Sequence, residues 1–264
     1  MIDWSHWHNE PYLIGGLIFM AWAYALATGP FRQRIAPGTV YPRAQAWCFY
    51  SSVVLFYLAV GSPLDQVGER FLFSAHMLQH QILMYPSAIL WVIGLPTWLV
   101  DWVAARSPLR QIGYFITRPI IAGLLYVIIQ SVWHAPTLYD WALQNRFVHV
   151  IEHLTFYGSS VIYWWPLLSP SKIWPPVRYP TQMLYLLAVM IGLIPLAAFI
   201  TFANDVLYPT YEFAPRLVAG FSPADDQLLA GVMMKLGGVI VTFIAFATIF
   251  YRWYQDTERS SRRN

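Results

Sequence analysis

The sequence predicts an all-α, polytopic membrane protein that forms a single bundle of seven transmembrane helices. Of its 264 residues, 58% are hydrophobic and only 11% are charged, whereas an average soluble domain has about 25% charged residues. A spanning helix requires about 20 mostly apolar residues. Seven such stretches occur, at approximately 11–29, 44–61, 70–94, 114–133, 147–167, 181–203 and 226–252. Neither a repeat nor a low-complexity tract divides them, so residues 1–264 are predicted to be one domain.

Glycine and proline breakers bound several of these stretches. They occur at Gly29-Pro30, Ser62-Pro63, Gly94-Leu95-Pro96 and Trp174-Pro175-Pro176. The first ten residues have no basic n-region of the kind that a signal peptide requires. The first stretch is therefore expected to remain in the protein as a helix.

The seventh stretch carries the one cationic residue deep inside an apparent span, Lys235. Ser222 can cap this helix, and Asp225 and Asp226 suit the positive end of its dipole. Lys235 then lies about 13 Å below the helix start, where an unpaired charge costs at least about 2.5 kcal/mol on insertion scales. Glu152 is the only carboxylate within another span, so the two side chains are predicted to approach each other. A lysine that reaches the interface or lines a wet cavity is the alternative.

The distribution of basic residues predicts which side of the membrane each loop faces, because cytoplasmic loops carry the excess of Lys and Arg. The even-numbered loops and the C-terminal tail hold twelve of them: Arg32, Arg34, Arg43, Arg106, Arg110, Arg118, Lys172, Arg178, Arg252, Arg259, Arg262 and Arg263. The other side holds only Arg70, Arg146 and Arg216. The N-terminus is therefore predicted to lie outside and the C-terminus in the cytoplasm, and orientation explains the net charge of +3 better than nucleic-acid binding does.

In this orientation all seven histidines fall in the outer half of the protein. His76 and His80 lie about 9 and 15 Å below the start of the third stretch, and His149 and His153 about 3 and 9 Å below the start of the fifth. His134 ends the fourth stretch on the same side. His6 and His8 precede the first stretch and are expected to have a structural role. Histidine is rare within membrane helices and indicates a functional site there.

Two His-x3-His pairs on different helices predict a metal site, because residues four apart share a helix face. One pair presents two imidazoles, and two facing pairs can supply four nitrogen ligands. Met84 continues the ladder of His76 and His80, while Met77 stands about 100° to one side. Glu152 beside His153 could be a further ligand, a hydrogen-bond acceptor for an imidazole or a proton acceptor.

Copper fits these donors best, and zinc is the alternative. Imidazole suits zinc, copper, iron and nickel, whereas thioether selects Cu(I). The single cysteine, Cys48, leaves no thiolate pair for a metal. Three other interpretations stay open: a membrane zinc hydrolase of the ceramidase-like type with Glu152 or Asp225 as base, a haem held by one histidine from each of two helices, and histidines that only form hydrogen bonds between helices.

Two outer segments, 204–212 and 221–227, combine aromatic residues with acids on the side of the histidines. They could attract a cation or cover the site. They could equally provide interfacial tyrosines and helix-capping aspartates.

The chain resembles the CtaG family of seven-helix cytochrome c oxidase assembly factors over about two thirds of its length. The resemblance rests on six motifs in order from the third to the seventh helix: Ser74-Ala75-His76-Met77-Leu78-Gln79-His80, Gly94-Leu95-Pro96, His134-Ala135-Pro136, Glu152-His153, Trp164-Trp165-Pro166 and Asp225-Asp226-Gln227-Leu228-Leu229-Ala230-Gly231.

This resemblance implies a multi-pass protein of the bacterial inner membrane that helps to form the copper centre CuB of cytochrome c oxidase subunit I. Copper would arrive from the periplasm, where a copper chaperone is a further expected partner. It would bind among the five histidines, with Met77 or Met84 assisting, and pass by ligand exchange to the histidines of the oxidase. The expected activity is metal binding and transfer rather than catalysis, at a site that faces the periplasm.

Overall fold

The computed structural model describes residue 5 and residues 7–262, which fold into helices joined by short loops. The helices are α1 (Pro11–Thr28), α2 (Arg32–Ile35), α3 (Arg43–Gly61), α4 (Pro63–Arg70), α5 (Phe73–Ile82), a π-helical segment (Leu83–Ser87), α6 (Ala88–Ile93), α7 (Thr97–Ala104), α8 (Leu109–Ile116), α9 (Pro119–Trp133), α10 (Pro136–Gln144), α11 (Arg146–Leu168), α12 (Tyr179–Gly192), α13 (Ile194–Thr201), α14 (Pro209–Glu212) and α15 (Pro223–Ser261). His6 lies outside the described residues.

Several of these helices are long and apolar enough to cross a membrane, so the protein is a multi-pass membrane protein. Four candidate spans are α1, α3, α12 with α13, and α15. Two bent pairs raise the number to six: Phe73–Ile93 with Thr97–Ala104, bent by 90°, and Leu109–Ile116 with Pro119–Trp133, bent by 72°. The predicted stretch 147–167 does form a helix, α11, but it is not among these candidates. The seven-span count and the side of each terminus therefore remain predictions.

Two predicted helix boundaries are wrong. The stretch 70–94 begins only at Phe73, because α4 is a separate helix capped by Ser62, whose side chain accepts a hydrogen bond from the backbone N–H of Leu64. The stretch 226–252 is longer than predicted, since α15 continues to Ser261. Both differences come from polar helical turns that hydropathy assigns to loops.

The histidine-bearing helix α5 is held at its first turn by α15. Asp226 is buried and accepts hydrogen bonds from the backbone N–H groups of Phe73 (2.6 Å) and Ser74 (3.1 Å), and from the Ser74 hydroxyl. A helix N-terminus has unpaired N–H groups and a positive dipole end, both of which a carboxylate satisfies. On the other side, Gly68 of α4 lies so close to α5 that a Cβ there would be 3.0 Å from the Cα of His76.

A layer of buried tyrosines covers the same end of α5. Tyr139 and Tyr211 join their hydroxyl groups at 2.8 Å, and Tyr211 also donates to the carbonyl of Gly68 at 2.7 Å. Tyr208 donates to the carbonyl of His134 at 2.9 Å. Tyr208 and Tyr211 are 1% and 2% exposed, so they are not interfacial tyrosines. Through Tyr208, the segment 204–212 contacts the backbone of His134 and the first residue of α5, Phe73, and its role as a cover of the site stays a prediction.

A buried histidine–carboxylate cluster

The five histidines of the predicted site converge. His76 and His80 come from α5, His149 and His153 from α11, and His134 from the C-terminal end of α9. All five are buried, with exposures of 0–7%. Ring centroids are 4.1 Å apart for His76 and His80, 5.5 Å for His80 and His153, 6.0 Å for His76 and His149, and 6.2 Å for His80 and His134. The two His-x3-His pairs thus face each other as their spacing predicted.

The carboxylate of Glu152 lies among these rings. Its Oε1 is 3.9 Å from Nε2 of His76 and 4.0 Å from Nε2 of His80, and its Oε2 is 4.0 Å from Nε2 of His149. These separations are too long for hydrogen bonds. Two ligands of one tetrahedral metal, each about 2.0–2.1 Å from it, lie roughly 3.3 Å apart. The gaps are therefore close to the spacing that a bridging cation requires.

The polar atoms of this cluster are unusually poorly paired. Both oxygens of Glu152 and the Nε2 atoms of all five histidines are buried, without a hydrogen-bond partner among the described residues. Buried polar groups are almost always paired, and an isolated buried carboxylate is very costly. Imidazole nitrogens and carboxylate oxygens are metal-ligand atoms, so a cation would give several of these atoms a partner.

Hydrogen bonds on the far side of two rings prepare them to be ligands. Nδ1 of His134 donates to the carbonyl of Gln130 at 2.7 Å, and Nδ1 of His149 lies 2.6 Å from Oε1 of Glu69. Since both partners accept, Nδ1 carries a proton in each ring, and Nε2 can act as an acceptor only when the ring is neutral. The same arrangement orients most metal-binding histidines.

The donor atoms form two groups that are compact enough to hold a metal ion. One comprises His76, His80 and His153, and the other comprises Asp65, His149 and His153; within each group the ligand atoms lie within 4.8 Å of one another. Imidazole nitrogens with carboxylate oxygens suit zinc, copper, iron or nickel. The residues thus fit a transition-metal ion.

Two acidic residues that the sequence prediction omits, Asp65 and Glu69, border the cluster. Oδ2 of Asp65 is 2.7 Å from Nδ1 of His8, and its Oδ1 accepts from Gln79. The hydrogen bond with Asp65 raises the pKa of His8 above its ordinary value, against the lowering effect of burial. The spacing of four residues within the short polar helix α4 is the sequence signal that could have indicated both acids.

Asp225, predicted to assist the site, instead caps its own helix. It is exposed and forms a reciprocal capping box with Ser222, whose hydroxyl accepts from the N–H of Asp225 at 3.1 Å. Its buried neighbour Asp226 has the role next to the site, because it holds α5. A helix start turns adjacent side chains about 100° apart, so only one of two consecutive acids can face the bundle.

The two methionines occupy different places. Met77 is buried in an apolar cluster with Phe73 and Tyr139, and the Tyr139 ring is 5.2 Å from His76. The sulfur of Met84 lies 3.7 Å from the hydroxyl of Tyr126. The helix changes to π geometry at Leu83, so the regular ladder predicted through His76, His80 and Met84 is interrupted at Met84.

The predicted approach of Lys235 to Glu152 is wrong. The ion pairs of the described residues include none that involves Lys235. Lys235 lines a separate cavity of about 40 Å³ with Met84, Tyr126 and Gln130, which has room for roughly three water molecules. Gln130 lies one helical turn before His134. At the level of Gln130, the Lys235 side chain of α15 lines this cavity and does not reach the histidine cluster.

The fold and the cluster define a class: a multi-pass membrane protein with a buried histidine–carboxylate centre at one end of its bundle. Comparison with known protein families identifies the particular family. The chain belongs to the family of cytochrome c oxidase caa3 assembly factors (Caa3_CtaG), whose model matches residues 22–256. No curated protein and no solved structure matches the sequence. The family assigns the protein to the assembly of cytochrome c oxidase and so associates it with that enzyme.

Proposed function

We propose that this assembly factor binds copper at the histidine–carboxylate cluster and helps to deliver it to the CuB centre of cytochrome c oxidase subunit I. The observation that carries the proposal is the set of unpaired ligand atoms on five buried histidines and Glu152. A donor that is itself embedded in the bilayer can meet a buried acceptor without releasing copper into water. The protein acts as a binding and transfer factor, not as an enzyme.

The proposed orientation places the cluster toward the periplasm of a bacterial inner membrane. The twelve basic residues of the opposite loops and tail support it, since Lys and Arg mark the cytoplasmic side. Copper then enters from the periplasm, directly or from a soluble copper chaperone. His76, His80, His153 and Glu152 are the main ligands in this proposal, and His134 and His149 complete the set. Met77 is buried in one apolar cluster with Tyr139, whose ring lies 5.2 Å from that of His76.

The double variant His76→Gln/His80→Gln tests the site. Protein purified from copper-replete cells is expected to retain copper, and the variant to lose it, because two of three ligands in one compact group are removed. Elemental analysis measures copper, zinc and iron in the same sample. Gln182→Met, a buried polar change in α12 that is remote from the histidines in sequence and bonds to the carbonyl of Val177, is the control. Unchanged copper in the double variant, or zinc or iron in place of copper, contradicts the proposal.

A further inference from the structure

The second group of potential ligands, Asp65, His149 and His153, is more exposed than the first. Three side chains around it are partly open: His8 at 18%, Glu69 at 21% and His149 at 9%. In the first group, the His76 and His80 side chains are 0% and 1% exposed, as is Glu152 at 1%. The cluster is therefore graded, with a rim that solvent reaches and a sealed interior.

The rim also has more carboxylates than the interior. Asp65 and Glu69 both belong to α4 and lie next to His149, whereas Glu152 is the one carboxylate between His76 and His80. Carboxylates at the mouth of a low-dielectric site attract cations and speed their capture. The unpaired and buried Nε2 atoms of His149 and His153 supply the second requirement, nitrogen donors without another partner.

His153 belongs to both groups. A cation that moves from the rim to the interior can keep this ligand while it exchanges the others. The bonds to Asp65 and His149 break and the bonds to His76 and His80 form, with no change of oxidation state and no proton transferred. At each stage the ion keeps protein ligands, so that a bare ion never has to cross the apolar interior.

We propose that Asp65, His149 and His153 form an entry position for a copper ion, from which His153 passes it to the inner position at His76, His80 and Glu152. This inference rests on the proposed function. It adds a second, outer cation position and gives roles to Asp65 and to the shared ligand His153.

The test measures the rate of copper loading in full-length protein in detergent. Metal-stripped protein is mixed with a Cu²⁺ salt, and the absorbance of histidine-bound copper is followed by stopped flow. Asp65→Asn is expected to slow the filling of the inner position by about tenfold or more, as loss of a metal-site partner does, while the inner position still fills completely in the end. His76→Gln/His80→Gln, which loses its copper on purification, is expected to bind a weak, readily exchanged copper ion while excess Cu²⁺ is present, and the added Asp65→Asn change is expected to remove this binding.

Asp65 also forms hydrogen bonds with His8 and Gln79. A matched variant therefore distinguishes a role of Asp65 in copper entry from a structural role. His8→Ala removes the same His8–Asp65 hydrogen bond but leaves the carboxylate. Slow loading in Asp65→Asn with normal loading in His8→Ala supports the entry position. Equal rates in Asp65→Asn and the unaltered protein overturn it, and so does equal slowing in both variants. If the unaltered protein binds no copper, the proposed function itself is contradicted. If it binds copper at a rate that Asp65 does not influence, only the entry position is contradicted.

Discussion

Glu152 is the residue at which the electrostatics of the cluster are most demanding. Its carboxylate is 1% exposed, and the closest imidazole nitrogens lie 3.9–4.0 Å away, beyond hydrogen-bonding distance. An isolated carboxylate in such a place costs several kcal/mol of effective desolvation. A bound cation removes this cost, so the same residue destabilises the empty site and stabilises the filled one.

The variant Glu152→Gln is therefore expected to shift stability in opposite directions with and without metal. In metal-stripped protein it raises the free energy of unfolding by about 1–3 kcal/mol, since a buried, unpaired charge is removed. In copper-loaded protein it lowers that free energy, because a ligand is lost. Thermal unfolding in detergent, with and without copper, measures both. A shift of the same sign in both states contradicts a role of Glu152 in holding the ion.

The histidine pairs could be predicted from the sequence, whereas their contacts with Asp65 and Glu69 could not. Spacing of four residues places two imidazoles on one helix face whatever the tertiary structure, so His76/His80 and His149/His153 could be identified as pairs. Asp65 and Glu69 become partners only because α4 folds back against α5, with Gly68 close to His76. Lys235 and Glu152 failed as a predicted pair for the same reason, since opposite charge and similar depth do not determine which helices are neighbours.

At the scale of the element, α5 is a short helix with two irregular ends. Its N-terminus is capped by Asp226 from a distant helix, and its C-terminus continues into the π-helical segment. Hydropathy predicts that this stretch lies in the membrane, but it predicts neither the cap by Asp226 nor the π-helical segment. π-Helical turns occur often at functional sites, and here the turn separates the histidines from Met84.

Removal of the Asp226 cap is expected to destabilise the protein and loosen the metal site. Asp226→Ala leaves two backbone N–H groups and a hydroxyl without their acceptor, at about 1–3 kcal/mol for each group that stays buried. Asp225→Ala, the matched change at the adjacent exposed residue, is expected to cost less. Thermal unfolding gives the stability, and elemental analysis gives the copper content. Equal effects of the two changes contradict the role of Asp226 in positioning α5.

For the whole molecule, the number of spans determines where the termini lie. Four or six spans leave both termini on one side, whereas seven place them on opposite sides. The helix in question is α11, whose 23 residues extend about 34 Å, enough to cross a hydrocarbon core of about 30 Å. Its His149, Glu152, His153, Ser159 and Ser160 lower its hydropathy, but all five are buried in the bundle. These buried polar residues lower the mean hydropathy of α11, so a hydropathy test does not identify it as a span although it is long enough.

Reporter fusions test this topology. A C-terminal green fluorescent protein is expected to fluoresce and a C-terminal alkaline phosphatase to be inactive, because the C-terminus is predicted to be cytoplasmic. The same reporters at the N-terminus are expected to give the reverse result. Identical results at both ends contradict seven spans and place α11 outside the set of crossing helices.

Because α15 is long, the Asp226 contact connects α5 to a distant part of the protein. At 39 residues the helix is about 58 Å long, more than the 40–45 Å thickness of a whole bilayer with its headgroups, so one end must project into water. The opposite end is fastened to the first turn of α5, two residues before His76. One continuous helix therefore joins the projecting end to the first turn of the helix that carries His76 and His80.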